Sequence, residues 1–196
     1  IEAAAGAGAL LAAAAMPADI VMCAIVGMAG LKPLLEAIAQ ADVVAIANKE
    51  PLVAAGALVM QAAREAHGHA ILVDLHSMPP LGLSGFGGPP PQLVLGDRFG
   101  RSASSRLMAC AAGVAAAHGL RVGQNHPYAG AYLIDRHGRP DRGCHAIQME
   151  FDRSLYLDAA LDSPGPGLAR TQAILAAMVT ALERELPRSD YAMAAE

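Results

Sequence analysis

Apolar and polar positions follow two alternating rhythms over the first 77 residues. The run "DIVMCAIVG" is apolar, partly β-branched and closed by glycine, which predicts a fully buried strand. In "LKPLLEAIAQA", Leu31, Leu34, Leu35 and Ile38 recur on one helical stripe. "DVVAIAN" is a second buried strand, and "PLVAAGALVMQAAREAHG" a second helix. Its Pro51 suits a first turn and its Gly68 a stop. "HAILVDLHS" reads as a third strand. Strands alternating with helices predict a parallel sheet with right-handed crossovers, with the runs at 20–26, 43–47 and 71–75 as neighbours in it.

After Ser77 the texture changes. "MPPLGLSGFGGPPP" is a Pro/Gly loop of a length associated with function or mobility. "QLVLGDRFG" is a strand ending in charges, and "SSRLMACAAGVAAAHG" a helix capped by Ser104 or Ser105 and stopped by Gly119. "LRVGQNHPYAGAYLIDRHG" reads as extended chain with turns, and "GCHAIQMEFDRSLYLD" as a half-buried strand. "PGPG" precedes an amphipathic helix spanning 168–186.

Composition narrows the function classes. Hydrophobic residues make up 54% and charged ones 16%, a globular and not a disordered balance. A net charge of -4, with no basic run interleaved with aromatics, argues against a nucleic-acid partner. Cys23, Cys110 and Cys144 lack paired or metal-ligand spacing, which favours a reducing compartment and a cytoplasmic location. The chain opens on Ile1 inside an established pattern, which predicts a start within a domain and no signal peptide. The apolar run at 3–35 is broken by Pro17, Asp19, Lys32 and Pro33, so it reads as buried α/β core and not as a membrane span. The sequence leaves the oligomeric state open.

Candidate chemistry gathers at the end of the third strand. Asp74 and His76 are two residues apart and project from the same face. Strand C-terminal ends are where α/β sheets bind ligands. Alone, a histidine ending a strand is ordinarily a satisfied structural residue, and Glu150, opposite Met149 by alternation, a solvated one. By the same default Arg98 and Arg153 are surface ion-pair residues, Tyr128 and Tyr156 pack, and His67 and His69 face solvent.

Two family resemblances change that default. "ADIVMCAIVGMAGLKPLLEAI" and "VVAIANKEPLVAAGALVM" resemble 1-deoxy-D-xylulose 5-phosphate reductoisomerase, an NADPH-dependent enzyme of isoprenoid synthesis. The resemblance implies that Asn48, Lys49 and Glu50 lie by cofactor and substrate; the plain alternative is that Lys49 and Glu50 only solvate and cap a helix start. Pro51 departs from the Ser, Thr or Ala usual in that family.

"HAILVDLHSMPP", "LVLGDRFGRSAS", "VGQNHPYAGAYLIDRHGRP" and "HAIQMEFDRSLYLD" resemble, in order, the C-terminal half of N-formylglutamate amidohydrolase, a bacterial histidine-degradation enzyme. That family is similar to the zinc carboxypeptidases and aspartoacylases. The resemblance implies His76 as a zinc ligand, Glu150 as the catalytic glutamate that activates water and Asp74 as the partner orienting the imidazole. It also implies Arg98, Asn125 and Arg153 as contacts for a dianionic, N-formylglutamate-like substrate. Ala131, Phe99 and the pair Phe151-Asp152 depart from the family pattern. The early zinc-binding His and acidic residue belong to the family's other half, and no histidine precedes His67. The inferred zinc site is therefore incomplete in this chain.

Together these predict an α/β chain with a mostly parallel or mixed sheet flanked by helices. A partial Rossmann-like βαβα segment over 1–62 precedes a zinc-carboxypeptidase-like part over 63–196. The expected function is metal-dependent amide hydrolysis by ancestry, impaired by the missing half-site. The alternatives are a reductoisomerase fragment and a catalytically silent fusion product. Gly6 and Gly8 open no G-x-G-x-x-G turn, since Leu11 stands at its third glycine. The backbone cradle that supplies most pyrophosphate contacts is thus absent from this sequence. Calorimetric titration with NADPH is expected to show no saturable heat, and saturable micromolar binding would overturn that expectation.

Overall fold

The computed structural model describes residues 4–83 and 85–186, in two units divided between Ala70 and Ile71. The division falls after the helix that spans the 62/63 seam expected from sequence.

In the first unit β1 (Ala18–Cys23) and β2 (Ala41–Ile46) pair in parallel, Ile20 beside Val43 and Cys23 beside Ile46. They are joined through a 3-10 turn (Gly27–Gly30) and α2 (Leu31–Gln40). The stripe predicted for α2 includes its buried residues Leu34 and Ile38. α3 (Glu50–His67) packs on α2 and buries Leu52, Val59 and Met60. Pro51 lies in its first turn, and Gly68 ends it at φ 78, its N–H donating to the Arg64 carbonyl at 2.7 Å.

Two expectations fail here. β1 is not fully buried: Ile20 and Met22 are 64% and 66% exposed. A parallel strand is covered on both faces only where helices lie on both sides. Here Pro33 and Leu34 of α2 line one cavity with Val21, Met22 and Cys23, and Ile20 and Met22 stay mostly exposed. The start of the run is α1 (Ala7–Ala14), which buries no residue, so the expected core does not extend through it. Five of its eight residues are alanine, which gives neighbours little apolar area to cover.

His67 is not solvent-facing either. Its Nε2 lies 2.6 Å from the Ile38 carbonyl oxygen, joining the last turn of α3 to α2. Beside it, burial and then the His67 charge hold His69 below the ordinary imidazole range.

The second unit is a four-stranded sheet in the order β3-β6-β4-β5. Its strands are β3 (Ala70–Met78), β4 (Leu93–Gly96), β5 (Val122–Gln124) and β6 (Cys144–Asp152). β4 runs antiparallel to β6 and parallel to β5, so the sheet is mixed. This corrects the expectation that the 71–75 run neighbours the other two apolar runs, which pair with each other in the separate sheet. β3 lies instead beside β6, where its Ile71 and Val73 pack on the same apolar cluster as Ile147 and Met149.

α4 (Ser105–Ala117) and α6 (Leu168–Glu185) cover one face of this sheet. Leu107, Met108, Ala111, Ile174, Met178 and Leu182 close over Leu93, Leu95, Ile147, Met149 and Phe151. Ser104 caps α4, its hydroxyl accepting from the Leu107 N–H at 3.4 Å, and Arg106 of α4 pairs with Glu185 of α6. Against the reading of 120–138 as extended chain, α5 (Tyr132–His137) forms within it, too short to show a helical period. β6 is not half-buried: eight of its nine residues are buried, on both faces. Among the described residues no helix is long and apolar enough to cross a membrane.

Ile147, with 0% exposure between the helices, and Ile20, 64% exposed, make a matched pair. Ile147→Ala should cost about 2–5 kcal/mol in urea unfolding, and Ile20→Ala no more than about 0.5 kcal/mol. Equal costs at the two sites would contradict this core.

Candidate functional site

The core-facing residues of the second sheet fix where its polar ones point. Ile71 and Val73 of β3 pack on the same cluster as Ile147, Met149 and Phe151 of β6. Alternation therefore turns Asp74, His76, Gln148, Glu150 and Asp152 to the other face, on adjacent strands. His76 Nε2 sits 3.0 Å from Asp74 Oδ1, with the imidazole side chain 45% exposed and the carboxylate 13%. Glu150 is only 8% exposed, directly across the ladder from Val94.

Glu150 is therefore not a solvated strand residue. Its Oε1 accepts from Gln148 Nε2 at 2.8 Å, and Gln148 Oε1 accepts from the Ala131 N–H at 2.9 Å. Asp152 is buried as well and accepts from the Ser154 N–H at 2.8 Å, capping the turn that carries Arg153. Arg153 itself is exposed.

Arg98 and Asn125 lie where β4 and β5 end, and both take left-handed backbone conformations, each with φ 57. Asn125 Oδ1 accepts from the Asp97 and Phe99 N–H groups at 3.0 and 3.2 Å, and its Nδ2 donates to Asp97 Oδ1 at 2.7 Å. Three hydrogen bonds of the amide thus hold the 97–100 turn, in which Arg98, Phe99 and Gly100 all have positive φ. Arg98 sends one terminal nitrogen to Asp135 at 2.9 Å and the other toward the Gly130 carbonyl at 3.4 Å. Both terminal nitrogens are engaged within the protein, and the buried Nε has no hydrogen-bond partner among the described residues.

Sequence reasoning missed Asp97 and Gln148, both buried polar residues of this region. A signal was present: in "QMEFD", polar Gln148, Glu150 and Asp152 alternate with apolar Met149 and Phe151. Read as a half-buried strand, that pattern puts the polar residues in water. Read with a second covering layer, it marks a buried polar row.

The residues of the alternative reading lie in the first unit. Asn48 Nδ2 donates to the Ile25 and Gly27 carbonyls at 2.7 and 3.0 Å, tying the chain after β2 to the turn after β1. Lys49 and Glu50 are exposed where α3 begins, Glu50 in the first turn, where a negative charge complements the helix dipole. A cavity of about 210 Å³ opens beside Asn48, lined mainly by apolar side chains including Leu10, Leu34 and Ile46. Cys23 also lines it, its thiol pKa raised by burial.

Residues 51–157 match the N-formylglutamate amidohydrolase family, more than half of the chain. The chain belongs to the N-formylglutamate amidohydrolase family. The solved N-formylglutamate amidohydrolase of Ralstonia eutropha JMP134 is similar in fold, with a TM-score of 0.59 and 27% identity over 68% of this chain. The chain covers 48% of that protein, about half its length.

Residues 1–56 match 1-deoxy-D-xylulose 5-phosphate reductoisomerase instead. The reductoisomerases of Ruegeria sp. (strain TM1040) and Zymomonas mobilis are 58% and 57% identical over 72 residues, 37% of this chain and 18% of each relative. That of Paracoccus denitrificans is 55% identical over 74 residues, 38% of this chain and 19% of the relative. The chain thus spans under a fifth of these relatives' length. Both resemblances read from the sequence are shown, and the amidohydrolase member carries a reductoisomerase-like first third. The two family matches overlap at residues 51–56, in the first turns of α3.

Asn125→Asp would set a second carboxylate where an amide now donates to Asp97. Two carboxylates at that distance coexist only if one keeps its proton. The variant should lose about 1–3 kcal/mol at neutral pH and recover part of it near about pH 4.5, where a shared proton bridges the pair. Chemical denaturation of both proteins at the two pH values checks the sign. A variant more stable at neutral than at acidic pH, relative to wild type, would remove this role for Asn125.

Proposed function

We propose that this chain carries the C-terminal half of an N-formylglutamate-type amide hydrolase site, able to act only when the other half is supplied. In this reading the second unit is the zinc-carboxypeptidase-like part and the first a partial Rossmann-like segment left from a reductoisomerase-like ancestor. The observation that carries it is the buried Glu150 carboxylate, held by Gln148 on the sheet face that also bears the Asp74–His76 pair. Family membership supplies the reaction class, N-formylglutamate plus water giving formate and glutamate.

Glu150 is the group that takes a proton from the attacking water and returns it to the leaving amine. Asp74, 3.0 Å from Nε2, holds the His76 ring in place. Arg153, exposed at the end of β6, is the cation for a substrate carboxylate. Arg98 and Asn125 act through the turn and loop they hold.

The family's zinc is a different matter. Catalytic zinc takes about three protein ligands. Among the described residues no group of three or more His, Cys, Asp or Glu side chains could hold a metal ion, and His76 Nε2 already faces Asp74. The residues present do not fit zinc, and the remaining ligands must come from outside this set.

The test is zinc content after dialysis together with formate release from N-formylglutamate. It uses the chain, its His76→Ala variant, and the chain mixed with the N-terminal half of a complete family member. The chain alone should hold well under one equivalent of zinc and release no formate, and the mixture should gain both. Stoichiometric zinc in the chain alone, lost in His76→Ala, would show that it completes the site itself. A mixture that stays inert would support the silent fusion product.

A further inference from the structure

Gln148 occupies a position that neither packing nor solvation explains. It is 4% exposed, on a strand whose other face supplies the core, and a buried amide is tolerated only when its hydrogen bonds are made. Its two ends are not interchangeable. The Ala131 N–H can only donate, so the end 2.9 Å away is the carbonyl oxygen. The –NH₂ end is then directed at Glu150 Oε1, 2.8 Å away. The amide is a rigid link between the backbone at Ala131 and one oxygen of the Glu150 carboxylate.

The far end of that link is itself fixed. Gly96 stands opposite Gln148 in the ladder and presents no side chain. The space is filled by backbone: a Cβ on Gly96 would lie 2.8 Å from the Ala129 carbonyl carbon and 2.9 Å from the Gly130 nitrogen. The Arg98 N–H donates to the Ala129 carbonyl at 2.8 Å, and its side chain reaches the Gly130 carbonyl. The loop at 129–131 is thus pressed on the sheet beside Gln148 and clasped from Arg98.

We propose that Gln148 is a positioning residue that sets the orientation of the Glu150 carboxylate from the place of the 129–131 loop, with Gly96 providing the room for that loop. The proposal rests on Glu150 being the base of the hydrolase reading, but the link itself can be tested without turnover. Arg98 and Asn125 then act on the reaction at a distance, through Asp97, Phe99 and the loop.

Three variants separate the arms of the link. Gln148→Met keeps the length and loses both hydrogen bonds. Gln148→Glu keeps an acceptor for Ala131 but turns a like charge toward Glu150. Gly96→Ala touches neither side chain and displaces the loop. Amide hydrogen exchange on the full chain reads the first arm: Ala131 should exchange about fivefold faster in Gln148→Met and Gly96→Ala and remain protected in Gln148→Glu. Side-chain NMR reads the second: Glu150 should hold one χ1 rotamer in the wild type and average in Gln148→Met and Gln148→Glu.

In the mixture with the N-terminal half, Gln148→Met should lower kcat at least about tenfold with KM within about twofold. Ala131 protection and the Glu150 rotamer both unchanged in Gln148→Met would overturn the proposal. So would a KM effect without a kcat effect. A mixture without activity would count against the hydrolase reading alone, because exchange and rotamer still decide the role of Gln148. Should Gln148→Glu fail to fold, Gln148→Met and Gly96→Ala carry both arms.

Discussion

A strand buried on both faces must find a partner for every polar atom it carries, and β6 is such a strand. On one side it offers Ile147, Met149 and Phe151 to two helices. On the other it carries an amide and two carboxylates with little access to water. Each unmade hydrogen bond there would cost on the order of 1–3 kcal/mol. The loop at 129–131, the cap at Ser154 and the contact between Gln148 and Glu150 meet that requirement. The geometry of the candidate site is therefore a by-product of satisfying a strand enclosed on both faces.

Much of the local structure was legible in the sequence because it depends on local chemistry. Ser104 and Gly119 bound α4, Pro51 and Gly68 bound α3, and the α6 stripe gives its core residues. These signals act within a turn or two of helix, where a cap or a left-handed glycine is decisive whatever lies beyond. The long-range pairings were not legible. An apolar run such as 71–75 states that it will be covered and does not state by which strand. Parallel βαβ logic supplied the default, and the apolar cluster that β3 shares with β6 prevailed.

The candidate site was half legible for the same reason. His76 and Asp74 are adjacent on one strand, so alternation alone brings them together. Glu150 entered through a motif, and its burial depends on a second layer that no local pattern encodes. Gln148 and Asp97 were overlooked because uncharged or turn-bound polar residues look ordinary until their surroundings are known. Arg98 and Asn125 were assigned to substrate by residue type. Their hydrogen bonds direct them first to the turn between them.

The strand order β3-β6-β4-β5 also has a temporal side. β3 and β4 follow one another along the chain, yet β6, completed only at Asp152, stands between them. On a ribosome that works from the N-terminus, the sheet cannot close until that residue has been synthesised and has left the exit tunnel. Helix α4 is made before the strand face it will cover is whole, so Leu107 and Met108 wait without their final neighbours. During that interval the nascent second unit presents β3 as an unpaired apolar edge, the kind of surface chaperones engage. The central strand thus acts as a late keystone, and a chain ending after β5 but before it leaves β3 with nothing to join it to β4 and β5.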